Sequence, residues 1–123
     1  MRIKTHKDLV VFQSAIELAI RIHKLSKNFP PEEKYSLTDQ IRRSSRSIAA
    51  NIAEAFRKRR YPKSFISKLS DCEGEVAETQ VWLYFIETFA YLDATVTKDL
   101  DAQYEHLQAQ IVTMILSPEK WSV

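Results

Sequence analysis

The stretch PKSFISKLSDCEGEVAETQVWLYFIETFA, residues 62–90, decides the fold. Phe65, Leu69, Cys72, Val76, Thr79, Leu83, Ile86 and Ala90 recur through it in alternating steps of four and three. That spacing puts them on one face of a helix, whereas a strand needs a period of two. Pro62 suits the first turn, where a missing N–H has no helical acceptor to lose. At 1.5 Å per residue the helix is ~43 Å long. Tyr91-Leu92-Asp93 closes it.

Working outward, Val96, Leu100, Tyr104, Leu107, Ile111 and Met114 keep nearly the same spacing. This predicts a helix over 97–116, opened by Thr97 with Asp99 and Asp101 and stopped before Pro118. Upstream, a helix over 37–59 starts after Ser36, a candidate N-cap with Asp39 three places on as an imperfect capping box. A first helix over 7–27 stops ahead of Asn28-Phe29-Pro30-Pro31, because the residue before a proline avoids helical geometry. One glycine and four prolines are too few for a many-turned β or α/β fold. The 123 residues make one domain, 1–123. Short loops between long helices predict an all-α, antiparallel, up-down-up-down four-helix bundle.

Two helices carry more apolar surface than one seam needs. Helix 1 adds Leu9, Phe12, Ile16 and Ala19 to its main stripe of Val11, Ala15, Leu18, Ile22, Leu25 and Phe29. Helix 3 adds Ile66, Trp82, Phe85 and Phe89. A bundle helix needs an apolar face a little over ~100° wide, and a surplus calls for another cover. Self-association is the economical one.

The residues of common chemistries are missing. Without glycine-rich stretches neither a P-loop nor a dinucleotide fingerprint can be written. A single cysteine excludes a disulfide framework and cysteine-based zinc sites. None of His6, His23 and His106 has a glutamate three residues ahead of it, so the Glu-x-x-His of di-iron bundles fails. Cys72 falls on the apolar seam and reads as a structural thiol. Ser44, Ser45 and Ser47 have no base at helical spacing and read as small side chains at a close helix approach. The sequence therefore predicts no enzyme, cofactor or metal. No segment is apolar for long enough to span a membrane, and MRIKTHKDLVVF lacks the apolar run of a secretory signal. The expectation is a cytoplasmic protein.

Charge carries the remaining information. Net charge is +2, but residues 42–68 hold nine basic side chains against Glu54 alone, and residues 69–123 hold two basic against ten acidic. Arg57, Lys58, Arg59, Arg60 and Lys63 crowd the helix 2–helix 3 corner. They fit either nucleic-acid contact or a solvated corner favoured by the helix dipole. Tyr61, Phe56 and Phe65 interleave with them, as bases for stacking or as core. Arg42, Arg43 and Arg46 share a side of helix 2, and salt bridges to the acidic helices 3 and 4, within or between subunits, are the favoured reading. Two functions compete: an oligomeric module binding RNA or single-stranded nucleic acid through the corner, and a scaffold for a partner protein.

Ser47-Ile48-Ala49-Ala50-Asn51-Ile52-Ala53-Glu54-Ala55 resembles the S-I-x-x-N-I-A-E-G motif of the 23S rRNA-intervening-sequence proteins. Leu9 to Gln13 resembles that family's L-x-V-W-x opening. Phe29-Pro30 with Tyr35 to Ser44 is similar to its F-P-x-x-E-x-Y-G-L-x-x-Q-x-R-R-A, and Ala90-Tyr91-Leu92 to its G-Y-L turn. The resemblance implies an antiparallel four-helix bundle assembling as a ring-like homopentamer. The family's name refers to a genomic location rather than a role. A similar pentameric bundle, the accessory protein of diversity-generating retroelements, presents a basic surface to nucleic acid. Ser36 and Ala55 depart from the motif's glycines. Asn51 and Glu54 match its polar positions, and with Arg42, Arg43 and Arg46 they are expected to form a structural polar network or a subunit contact.

Overall fold

Residues 3–121 are described in the structure, a computed structural model. Four helices follow one another: α1 (Val10–Ser26), α2 (Leu37–Arg57), α3 (Pro62–Thr88) and α4 (Ala94–Leu116). Short 3-10 turns lie at His6–Asp8, Pro31–Glu33 and Pro118–Trp121, and there is no strand among the described residues.

Each helix packs on its neighbours in the order α1, α2, α3, α4 and back to α1, while the backbones of the diagonal pairs stay apart. Cross-helix hydrogen bonds set an antiparallel register throughout. Arg42 and Arg46 of α2 meet Ser26 and His23 of α1. Ser44 and Asn51 of α2 meet Thr79 and Lys68 of α3. Gln80 of α3 meets Glu105 of α4, and Arg21 of α1 meets Asp99 of α4. The core between them holds the expected Leu69, Val76, Ile86, Leu100, Leu107 and Ile111, together with Ile41, Ile48 and Ile52 of α2. Ser44 and Ser45 are buried at the α2 seams as small side chains, and the Ser44 hydroxyl is satisfied by that of Thr79 at 2.8 Å.

Helix ends differ from the sequence reading where a local cap takes over. α1 starts at Val10 rather than residue 7, because Thr5 and Asp8 close a capping box around their own 3-10 turn and leave Leu9 extended. α4 starts at Ala94 rather than Thr97: the Asp93 carboxylate accepts the Thr95 N–H at 3.0 Å and makes Asp93 the N-cap. Thr97 becomes an interior position whose hydroxyl donates to the Ala94 carbonyl. Ser36 occupies the N-cap of α2 but does not cap it, since its hydroxyl donates to Glu33 Oε1 at 2.6 Å. Glu33 also accepts the Tyr91 hydroxyl at 2.8 Å, tying the α1–α2 loop to the α3–α4 turn. These hydrogen bonds hold the Glu33 carboxyl below its ordinary range.

α3 ends at Thr88, and Ala90, expected as its last apolar residue, lies in the turn instead. The Tyr91 N–H reaches the Ile86 carbonyl at 3.0 Å and the Ala90 N–H the Glu87 carbonyl at 3.1 Å. This is the Schellman arrangement, and it puts Ala90 at φ 57°, the left-handed region. The glycine of the resembled G-Y-L turn has its physical reason there, and alanine bears the strain.

Candidate nucleic-acid interface

The corner between α2 and α3 is short because Pro62 begins a new helix. The Lys58 N–H closes α2 on the Glu54 and Ala55 carbonyls, and the Tyr61 N–H returns to the Lys58 carbonyl at 2.9 Å. Within this turn the five expected cations separate. Arg59 folds back, with Nη1 donating to the Phe56 carbonyl at 2.8 Å and its guanidinium 3.7 Å from the Phe56 ring centroid. It caps α2 and stacks on a core aromatic. Arg57, Lys58, Arg60 and Lys63 are exposed, and none forms an ion pair among the described residues. Tyr61 stands among them 61% exposed, while Phe56 and Phe65 are core.

Asn51 and Glu54 form a polar network whose cation is Lys68. Lys68 Nζ lies 2.8 Å from Glu54 Oε2 and 3.4 Å from Asn51 Oδ1, and Asn51 Nδ2 donates to Ser47 Oγ at 3.1 Å. Hydrogen bonding and charge from Lys68 hold the Glu54 carboxyl below its ordinary range, and Glu54 raises Lys68 in return. Glu54 is exposed rather than buried, so the network is a surface clamp across the α2–α3 seam. Lys68 was legible only as one more basic residue. Its role follows from hairpin arithmetic: Asn51 and Lys68 lie about equally far from the corner, so antiparallel packing brings them together.

Arg42, Arg43 and Arg46 do not join that network, and none pairs with a carboxylate of α3 or α4 within the chain. Arg42 Nε donates to Ser26 Oγ at 2.8 Å, and Arg43 pairs with Asp39 of its own helix at 2.9 Å. Arg46 Nη2 donates to His23 Nδ1 at 3.1 Å. Burial first, then the charges of Arg42, Lys27 and Arg46, push His23 below its ordinary value, which keeps the imidazole neutral and able to accept. Two of the three arginines thus spend their hydrogen bonds on α1 rather than on the acidic helices. Glu75 and Glu78 line a cleft of about 570 Å³ with Arg43 and Arg46 without bonding to them. Burial and the neighbouring Glu78 and Asp71 raise Glu75.

Cys72 is buried, its thiol pushed up to about 12 mainly by desolvation. No group of three or more His, Cys, Asp or Glu among the described residues is placed to hold a metal. Among the described residues no helix is long and apolar enough to cross a membrane.

The sequence pattern of 23S rRNA-intervening sequence proteins matches residues 7–113. The chain belongs to that family. No curated protein matches it. Among solved structures it is similar to a protein of unknown function from the S23 ribosomal protein family of Bacteroides thetaiotaomicron. The two are 30% identical with a TM-score of 0.78, over 86% of this chain and 95% of that one. The family's motif now reads as one seam of α2. Ile48, Ile52 and Ala55 are fully buried, and Ser47, Asn51 and Glu54 form the polar edge that Lys68 closes. At Ala55 a methyl group fills core space where the motif has glycine.

Proposed function

We propose that the protein is a non-enzymatic, homo-oligomeric bundle that binds RNA or single-stranded nucleic acid through the α2–α3 corner. The supporting observation is the exposed set Arg57, Lys58, Arg60 and Lys63, in no close ion pair among the described residues, around an exposed Tyr61. Cations held in no close ion pair attract phosphate without first breaking a salt bridge, although Lys58 also acts on Glu54 through its charge, and a phenol ring beside them offers a stacking face for an unpaired base. Assembly as a ring-like pentamer sets five such corners on one rim, where linkage turns weak single contacts into retention. The protein works in the cytoplasm, with no cofactor. A scaffold for a partner protein is the second reading, favoured by the apolar side chains left exposed on α1 and α3.

Fluorescence anisotropy with a labelled single-stranded RNA tests the first reading. Wild type should bind with an affinity that falls steeply with salt. The variant Arg57→Glu/Arg60→Glu/Lys63→Glu should lose binding while keeping its helicity and mass. Arg59 is left in place because it caps α2. Equal binding by the variant removes the proposal, and retention of a protein without nucleic acid favours the scaffold.

A further inference from the structure

Among the exposed apolar features that remain after the bundle has formed, two differ in shape in a complementary way. On one side Ile16 and Ile20 of α1, 37% and 49% exposed, overhang a groove of about 290 Å³ between α1 and α2. Its other lining residues are Ala19, His23, Arg46 and Ala49, so two alanines leave room beside an imidazole and a guanidinium. On the other side α3 presents a ridge in which Tyr84, Phe85 and Phe89 are 68%, 38% and 51% exposed. Phe85 contacts the rings of Trp82, Tyr84 and Phe89 at centroid distances of 6.1, 6.2 and 5.8 Å. The ridge is therefore ordered before anything docks on it, and little side-chain entropy is lost on contact.

We propose that the α3 ridge of one copy seats in the α1–α2 groove of the next, a heterologous contact between copies of this chain. The inference rests on the self-association in the proposed function and names the surfaces that make it. Charge commits the occupant. Arg46 lines the groove, and the charges of Arg42 and Lys27 bear on its His23, while Asp71, Glu75 and Glu78 precede the ridge on α3. Groove against groove, or ridge against ridge, juxtaposes like charges, whereas groove against ridge pairs opposite ones. Shape agrees, since a groove cannot fill a groove.

Position sets the geometry of the assembly. α1 and α3 are diagonal, with their backbones apart, so one copy engages a neighbour on each side at once. A contact of that kind closes into a ring or continues as a filament. Both surfaces border α2: the groove shares Arg46 and Ala49 with it, and Glu75 and Glu78 share a cleft with its Arg43, Ser47 and Ala50. Successive copies therefore curve toward α2, which faces the inside of the closed ring, and the corners at Arg57–Lys63 gather on one rim.

Mixed-population cross-linking tests the pairing. Ile20→Cys and Phe85→Cys are prepared separately, one of them tagged; the buried native Cys72 stays silent. After subunit exchange and mild oxidation, the proposal requires a disulfide dimer of tagged with untagged chain in the mixture and none in either variant alone. A dimer formed equally well by one variant alone shows an isologous contact and overturns it. No mixed dimer, while light scattering on the same sample gives a multi-subunit mass, also overturns the pairing and leaves assembly standing. A monomeric mass in wild type overturns both.

Discussion

Arg59 and Arg60 are adjacent, equally charged and indistinguishable by composition, yet their environments predict opposite phenotypes. Arg59→Ala deletes a charged hydrogen bond to the Phe56 carbonyl at 2.8 Å and a stack on the Phe56 ring at 3.7 Å. A hydrogen bond from a charged donor contributes about 1.5 kcal/mol at the low end suited to a half-exposed group, and an exposed cation–π contact about 0.5 kcal/mol. The expected loss is about 2 kcal/mol, or a fall in Tm of roughly 5–8 °C for a domain of this size. Arg60 makes neither contact, so Arg60→Ala should stay within about 0.5 kcal/mol of wild type. The ranking reverses in nucleic-acid binding. Losing one phosphate contact lowers the slope of log affinity against log salt by about 0.7 for a single strand, and this is expected for Arg60→Ala and not for Arg59→Ala. Circular dichroism melts at one fixed subunit concentration, because assembly couples to stability, together with anisotropy at several salt concentrations, read both quantities. An Arg59→Ala protein that melts like wild type and loses salt slope would refute the division of the corner into cap and contact.

Three further outcomes follow from local geometry. Ala90→Gly should raise stability by about 0.5–1 kcal/mol in urea unfolding, since a left-handed alanine costs about 1–2 kcal/mol and the glycine returns part of that as unfolded-state entropy; a loss would contradict the φ of 57°. Cys72 should resist thiol reagents at pH 8 in the folded protein and react fully in denaturant, as a thiol pushed up to about 12 requires; rapid native labelling would place it at the surface. Glu33→Gln should weaken the protein at neutral pH, because the carboxylate holding Ser36 and Tyr91 has a folded pKa below its ordinary 4.5. That stabilisation is fully present above 4.5 and is lost as pH falls through the lowered folded value. The gap between variant and wild type should therefore close in acid, and a gap independent of pH would mean that the carboxylate's charge is not involved.

What the sequence made legible was what periodicity controls. Steps of four and three placed every buried residue of α3 from Phe65 to Ile86, and Pro62 marked the corner. Helix ends were less legible because short-range hydrogen bonds compete for them. Asp93 outranks Thr97 as a cap by accepting the Thr95 N–H, and Thr5 with Asp8 diverts the chain before α1. Ala90 looked like the last member of an apolar stripe until the backbone turned left-handed beneath it. The basic block was visible as a block, but its division was not. Whether an arginine meets a phosphate, a ring or a neighbouring helix depends on which side of α2 it faces. Arg42 and Arg46 turn to α1, Arg59 turns to Phe56, and Lys68 across the corner takes Glu54. The apolar surplus was half legible: Leu9 and Ala19 are buried within the chain, whereas Ile16, Phe85 and Phe89 are not.

Mass in solution is the most direct test of self-association, on which both the shared rim of cations and the pairing of α1–α2 with α3 depend. Light scattering on the purified chain at micromolar concentration should give a multiple of 14.3 kDa, the proposed ring-like assembly, and Phe85→Asp should reduce it to one copy without loss of helicity. A wild-type mass of 14.3 kDa across that range would contradict it.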